Sequence, residues 1–177
     1  MQPIPRLPKL RVRAGILPPW FWLTLSLAWP LWVGAQPNTG DPARPFTLTD
    51  QFGASTTFRV PPNEFVALIF ADRSGRTTAR DWLRALASGP KPPRLVSVAC
   101  TGWVPALFRP TVQNAFAQSK PILIDWNNTV ATQYGYGGTG CRVVLINPAG
   151  RIVAVEDTYA PARFAHLTQL LQPITSP

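Results

Sequence analysis

The sequence has few of the side chains that bind metals. Its 177 residues include 2 cysteines and 1 histidine. A structural zinc site or an iron–sulfur cluster needs about four such ligands, so the composition argues against either kind of site. We predict no metal site and no cofactor.

Charged side chains are also scarce, at 14% of the chain, whereas apolar residues make up 46%, enough for a packed core. Most of the charge is basic. Three arginines, Arg76, Arg80 and Arg84, recur every four residues and would line one helix face, while Trp82 falls on the opposite, apolar face. A nucleic-acid groove needs exposed aromatic residues among its basic ones, so we predict a solvated helix face and no nucleic-acid partner.

The first 35 residues differ from the rest of the chain and are typical of a secretory signal peptide. They contain no acidic residue, and their basic residues are Arg6, Lys9, Arg11 and Arg13. Residues 15–35 are uncharged and end on the small residues Val33-Gly34-Ala35. A basic start, an apolar stretch and a small-residue end form the pattern that directs export and is then cleaved.

The alternative is an uncleaved membrane anchor, because the apolar run of 21 residues at 15–35 is long enough to span a bilayer. Pro18, Pro19 and Pro30 interrupt helix hydrogen bonding in this run, which favours cleavage. The basic flank stays inside in both cases. We therefore predict a periplasmic or otherwise exported protein, anchored at the inner membrane if the leader is not cleaved, which touches the membrane only through this segment.

Three parts are expected after the leader: a proline-rich linker at 36–45, one domain at 46–172 and a short tail at 173–177. Two extended runs around Gly53 predict an N-terminal hairpin. Residues 64–71 and 94–100 are continuous apolar runs on either side of a helical pattern, to which Thr77 or Thr78 would supply the cap. This order predicts two buried parallel strands joined by a helix.

The second half of the domain is also predicted to contain both helices and strands. A helix at 111–118 would bury Val112, Ala115 and Phe116. A short strand at 121–125, a hairpin at 141–155 and a final helix at 161–172 follow. The predicted fold class is α/β, a mixed β-sheet with helices on both faces and an N-terminal β-hairpin extension.

Two stretches resemble a known family. Residues 46–53 (FTLTDQFG) are similar to the opening hairpin of redoxins, and residues 134–152 (YGYGGTGCRVVLINPAGRI) match their tyrosine–glycine loop, the next strand and the turn after it. With the order of elements, these motifs resemble the thioredoxin-like superfamily, in particular peroxiredoxin-like and exported thiol–disulfide oxidoreductases. The resemblance covers residues 46–172 and implies a thioredoxin-like fold.

The chain departs from this family at the residues that carry its chemistry. In relatives a C-x-x-C pair follows the first buried strand, but the equivalent residues 71–76 (ADRSGR) contain no thiol. The family also presents a cis-proline beside that pair, and Gly140 stands at the matching position. The resemblance therefore implies a site without its usual nucleophile, in which Asp72, Arg73, Trp103 and Gly140 are candidate binding residues.

The two cysteines elsewhere leave three interpretations open. Cys100 ends the second buried strand and Cys141 begins the strand after the glycine-rich loop, so both would flank the central strand at the same end. Two inter-strand spacings place them about 9–10 Å apart, whereas a disulfide needs Cα atoms within about 7 Å. They form a disulfide if a loop bends inward, they are inert buried thiols, or they are a relocated redox site. Arg142 would lower the pKa of Cys141 if the side chains met, although strand neighbours point to opposite faces.

The sequence therefore supports two functions. The first is an exported, non-catalytic module that binds an exported protein or peptide at the end of the sheet where relatives keep their thiols. The second is a diverged thiol oxidoreductase or peroxiredoxin-like enzyme whose catalytic residues are Cys100 and Cys141. Fold resemblance predicts structure better than reaction, so the residues at the site must decide between them.

Overall fold

The computed structural model of the protein describes residues 37–61, 63–102 and 104–171. The predictions for the leader at 1–35, for Trp103 and for the tail at 173–177 fall outside these residues. Within the described ranges, no helix combines the length and the apolar character needed to cross a membrane.

Seven strands form one mixed sheet in the order β2-β1-β5-β4-β3-β6-β7. The central strands β3, β4 and β5 are parallel, and β1, β6 and β7 are antiparallel to their neighbours. This arrangement confirms the α/β class and the N-terminal hairpin. The strands are β1 (Phe46–Asp50), β2 (Ser55–Phe58), β3 (Val66–Ala71), β4 (Arg94–Cys100), β5 (Leu123–Asp125), β6 (Cys141–Ile146) and β7 (Ile152–Glu156).

In the part of the chain that the structure describes, four α-helices connect and cover these strands: α1 (Arg76–Ala87), α2 (Arg109–Ala115), α3 (Thr129–Gln133) and α4 (Pro161–Leu170). A short 3₁₀ helix, Ala106–Phe108, precedes α2. The prediction that Thr77 or Thr78 caps α1 is wrong, because the helix begins at Arg76 with Gly75 as its N-cap. The prediction for α2 also fails in part: Ala115 is exposed, and no side chain of the helix is buried.

Each face of the sheet has its own core, as expected for strands whose side chains alternate between faces. On one face, Phe70 of β3 packs with Val98 and Cys100 of β4 and with Tyr134 after α3. On the other face, residues of β3 and β6, among them Cys141, pack with Trp82 and Leu86 of α1 and Leu167 of α4. Helices therefore cover both faces, as predicted.

The segment before β1, predicted as a flexible linker, is hydrogen-bonded to the sheet edge over residues 40–43. The Gly40 N–H donates to the Ile152 carbonyl at 2.7 Å, and the Ile152 N–H donates to the Asp41 carbonyl at 2.9 Å. The Ala43 N–H donates to the Gly150 carbonyl at 2.8 Å. These bonds pair the segment with the beginning of β7, so its backbone donors are satisfied by the sheet.

Candidate functional site

The carboxyl ends of β3, β4 and β5 lie side by side, and β6 begins beside them. Ala71 is paired with Ala99 on one side and with Cys141 on the other, and Cys100 is paired with Asp125. We call this end of the sheet the site edge. It brings together the loop at 72–75, the loop at 135–140, the segment after Cys100 and the segment after Asp125, and open α/β sheets bind ligands at such an edge.

Asp72 is the first residue after β3, and its carboxylate organises the turn that leads into α1. Its Oδ1 accepts hydrogen bonds from the Ser74 hydroxyl at 2.7 Å, the Gly75 N–H at 2.8 Å and the Gly140 N–H at 3.1 Å. Two of these donors belong to the turn itself, and the third comes from a loop 68 residues away. Asp72 therefore fastens the start of α1 to the glycine-rich loop.

Protonation of Asp72 would weaken this arrangement. Partial burial raises the pKa of its carboxyl, but the hydrogen bonds from the Ser74 hydroxyl and from the N–H groups of Gly75 and Gly140 outweigh burial and lower the pKa below the ordinary 3.8. Hydrogen bonds to the charged form favour that form. The carboxylate is therefore the stable state of the site at neutral pH.

Asp72→Asn tests this charge because the amide keeps an oxygen acceptor. We expect the variant to lose about 1 kcal/mol of stability at pH 7, the difference between a charged and a neutral acceptor. Because the folded pKa lies below the unfolded one, the carboxylate stabilises the fold above about pH 4, and this stabilisation disappears as pH falls through the folded pKa. Urea unfolding from pH 7 to pH 2 should show wild type and variant converging; a constant difference would contradict the prediction.

Gly75 and Gly140 lie in direct backbone contact. A Cβ atom on Gly75 would lie 1.9 Å from the Gly140 carbonyl oxygen, so no side chain fits at position 75 in this arrangement. The Gly140 N–H donates to Asp72 and to the Ser74 hydroxyl, and its carbonyl accepts from the Asp72 N–H at 3.2 Å and the Tyr136 hydroxyl at 3.2 Å. The backbone of Gly140, a predicted binding residue, is thus occupied by contacts within the chain.

Cys100 and Cys141 lie at the same end of the sheet, flanking β3 as the sequence predicts, but they face opposite sides. Cys100 belongs to the core with Phe70 and Tyr134, and Cys141 to the core with Trp82. Both are free thiols with 5% of their surface exposed. The sheet itself stands between the two sulfur atoms, so bending a neighbouring loop would not bring them together.

Burial makes both thiols hard to ionise. It raises the pKa of Cys100 to about 12, with a further contribution from the negative charge of Asp125. Burial likewise raises the pKa of Cys141 to about 12, and the charge of Asp157 adds to the effect. Since the thiolate is the reactive form, burial keeps both thiols protonated and unreactive at neutral pH.

Arg142 does not act on Cys141 as the sequence suggested. Its guanidinium donates to the Asp157 carboxylate through Nε at 2.6 Å and through NH2 at 2.9 Å, and NH1 donates to the Tyr134 carbonyl at 3.3 Å. The condition for a lowered Cys141 pKa, contact between the two side chains, is therefore not met, and burial raises that pKa instead. As neighbours in β6, the two side chains point to opposite faces of the sheet.

Asp125 is a further residue of the site edge, which sequence analysis missed. It is buried at the end of β5, where its carboxylate accepts from the Thr129 N–H at 3.0 Å and the Ala131 N–H at 2.8 Å. Both donors belong to the first turn of α3, whose N–H groups have no partner within the helix. The sequence feature that could have predicted this role is an acidic residue four positions before a short helix.

The remaining predicted residues contribute less to the geometry. The Arg73 side chain is exposed at the site edge and makes no hydrogen bond or ion pair within the described residues. Trp103 lies outside those residues. In the part of the chain that the structure describes, no three His, Cys, Asp or Glu side chains come together as a metal site.

Solved structures share this architecture, although no protein-family model and no curated protein matches the sequence. A proposed protein disulfide isomerase from Bacteroides thetaiotaomicron has TM-score 0.56 at 21% identity, covering 76% of this chain and 88% of that one. A peroxiredoxin-like protein from Aquifex aeolicus has TM-score 0.55 at 12% identity, covering 79% and 91%. The exposed lipoprotein thioredoxin of Streptococcus pneumoniae has TM-score 0.55 at 14% identity, covering 72% and 98%.

These similarities concern the fold. Identities of 12–21% are too low to transfer an activity, since one fold carries many functions. The chain has the thioredoxin-like fold, as the sequence motifs predicted, and its two cysteines are not a C-x-x-C pair.

Proposed function

We propose that the protein is an exported, non-catalytic thioredoxin-fold module that binds a peptide or partner protein at the site edge. The observation that carries the proposal is the position of the two thiols. Cys100 and Cys141 are buried in separate cores on opposite faces of the sheet. A dithiol enzyme must expose one sulfur to its substrate and bring a second within bonding distance of the first, and this geometry supports neither step.

The start of α1 supports the same proposal. Relatives use the positive end of this helix to stabilise a thiolate. Here the carboxylate of Asp72 accepts the N–H of Gly75 and a second N–H from Gly140. The turn is therefore fixed by oxygen–nitrogen hydrogen bonds, and position 75 lies against the glycine-rich loop with no space for a side chain.

Export is proposed from the leader. The basic start, the uncharged stretch at 15–35 and the small residues before Gln36 carry this part of the proposal. The pneumococcal neighbour is an exposed lipoprotein, which is consistent with such a location for a protein of this fold.

The alternative function is a diverged thiol oxidoreductase or peroxidase that uses Cys100 and Cys141. The neighbours of similar fold favour it, since they include a proposed protein disulfide isomerase and a thioredoxin. It requires that at least one thiol become accessible and ionised under native conditions, which a measurement of thiol reactivity decides.

Thiol reactivity in the full-length protein separates the two functions. We expect iodoacetamide at pH 8 to leave both cysteines unmodified until denaturant is added, as measured by intact mass. The variant Ser74→Cys is the matched control, because Ser74 is exposed at the start of α1 and a thiol there should react without denaturant. Rapid native alkylation of Cys100 or Cys141 would contradict the proposal.

Loss of both thiols should leave function intact. We expect Cys100→Ala/Cys141→Ala to fold and to retain peptide binding within about twofold of wild type, because neither sulfur faces a ligand. Neither protein should reduce insulin with dithiothreitol, or consume hydrogen peroxide, faster than the reductant alone. Turnover by the wild type that disappears in the double variant would establish the alternative function.

A further inference from the structure

The segment that follows β4 exposes two large apolar side chains in succession. Leu107 is 82% exposed and Phe108 is 56% exposed, and together they form most of the 3₁₀ helix. Single exposed apolar residues are ordinary on a protein surface, but adjacent ones beside a charged group are typical of interaction sites. The chain direction places this pair at the site edge, between Cys100 and α2.

Arg109 comes directly after this pair and is held against an aromatic ring. Its guanidinium carbon lies 5.0 Å from the ring centroid of Trp126, which follows β5 at the same edge. Its Nε is buried and has no hydrogen-bond acceptor among the described residues, so it is not available to a ligand. Within the same residues Arg109 makes no ion pair with a carboxylate, and its two terminal nitrogens make no hydrogen bond. These two nitrogens are the donors that the stacked guanidinium keeps for an external acceptor.

The acidic residues of the site edge are not partners of Arg109. The Asp72 carboxylate accepts from Ser74, Gly75 and Gly140, and both oxygens of Asp125 accept N–H groups of α3. Hydrogen bonds from neutral donors do not remove the charge of a carboxylate, but within the described ranges neither carboxylate forms an ion pair with Arg109. The guanidinium of Arg109 is therefore available to an acidic partner.

We infer that Leu107, Phe108 and the stacked Arg109–Trp126 pair form a docking surface for an acidic peptide segment with an aromatic or aliphatic side chain next to a carboxylate. The carboxylate accepts hydrogen bonds from Arg109, and the apolar side chain covers Leu107 and Phe108. Charge-assisted bonds between guanidinium and carboxylate are strong and directional, and buried aromatic and arginine residues dominate peptide interfaces. The inference rests on the proposed binding function and names its partner.

The observations favour a peptide over an anionic membrane surface. Arg109 is fixed over one ring, which suits a single planar carboxylate better than a diffuse layer of phosphates. Among the described residues of this surface, two apolar side chains project, Leu107 and Phe108, and they bury little area compared with an interfacial helix. The membrane is therefore the competing outcome of the experiment.

The experiment selects ligands for the immobilised full-length protein from a random library of displayed 12-residue peptides. We expect enrichment of sequences with Asp or Glu beside Phe, Trp or Leu. The best peptide, fluorescein-labelled, should bind at least about tenfold more tightly than its copy with Gln and Asn in place of the acids, since a bidentate ion pair is lost. No enrichment, or equal affinity for both peptides, would overturn the inference.

Variants locate the binding site. Arg109→Gln should abolish the preference for the acidic peptide, and Leu107→Ser/Phe108→Ser should weaken binding of both peptides by about tenfold. The matched controls are Phe52→Ser, 62% exposed on the turn at the opposite end of the sheet, and Arg94→Gln, exposed at the beginning of β4. Both controls should bind like wild type.

The outcomes separate this inference from the proposed function. Peptide binding that is lost in the control variants but not at 107–109 overturns the docking surface and leaves the binding function standing. Thiol-dependent turnover overturns the proposed function, whatever the peptide results. Binding to phosphatidylglycerol vesicles that depends on Leu107 and Phe108, with no selected peptide, identifies a membrane surface and overturns the peptide inference.

Discussion

Gly75→Ala is expected to lower the free energy of unfolding by about 3 kcal/mol or more, at the upper end of the cost of overpacking. The added methyl would lie 1.9 Å from the Gly140 carbonyl oxygen and 2.7 Å from the Cys141 backbone nitrogen. Backbone atoms cannot rotate away, so α1 and the loop at 135–140 must separate. The hydrogen bonds of Gly140 with Asp72 and Tyr136 would be strained in the process. Urea unfolding followed by circular dichroism measures the change.

Gly137→Ala is the matched control for this substitution. Gly137 lies in the same glycine-rich loop, its φ is not positive, and an added Cβ would meet nothing within 4 Å. We expect a change within about 0.5 kcal/mol, as at other exposed positions. Equal stabilities for the two variants would show that the contact between Gly75 and Gly140 does not hold the site edge together.

The contact between Gly75 and Gly140 shows the difference between features that local sequence patterns predict and features that they do not. The continuous apolar run of β3 and the spacing of Trp82 and Leu86 in α1 are local patterns, and both lie in the core as expected. The missing thiol at 71–76 is also visible in the sequence. The hydrogen bond from Gly140 to Asp72 joins residues 68 positions apart and depends on how two loops meet. No local sequence pattern therefore predicts it.

The cysteines illustrate a second limit. Their strands and their shared end of the sheet follow from the order of elements, and those predictions agree with the structure. The face that each side chain occupies depends on strand register, because a shift of one residue moves a side chain to the other face. Ala71 is paired with Ala99 and Cys141, which places Cys100 one position further along and on the opposite face. Register is fixed by packing of the whole sheet.

The apolar pair at 107–108 depends on tertiary context in a similar way. Pro105 and Pro110 predict an irregular segment at 102–110, and the structure has a short 3₁₀ helix there before α2. The following strand, β5, has only three residues and provides little surface for a helix to cover. Leu107 and Phe108 therefore stay in solvent, and a pattern that predicts core elsewhere becomes a candidate docking surface here.

Asp125→Ala should destabilise the fold by about 3 kcal/mol, because it removes the carboxylate that accepts from the buried Ala131 N–H and the partly buried Thr129 N–H. Hydrogen bonds to a charged acceptor contribute about 1.5–3 kcal/mol each, and an unpaired buried donor keeps its desolvation cost. The Thr129 and Ala131 N–H groups begin α3, which carries Tyr134 into the core beside Phe70. Loss of Asp125 should therefore loosen α3 first. Amide hydrogen exchange at 129–134 measures this opening, and urea unfolding measures the global change.

Two further substitutions, Asp125→Asn and Asp81→Ala, are the controls for this prediction. Asp125→Asn keeps one acceptor oxygen and should cost about half as much as alanine, because one of the two bonds survives. Asp81→Ala removes a partly exposed acid from α1 whose partner, Arg84, lies 3.8 Å away, and surface pairs of this kind contribute about 0–1 kcal/mol. If Asp125→Ala cost no more than Asp81→Ala, the buried carboxylate would not be what orders α3 at the site edge.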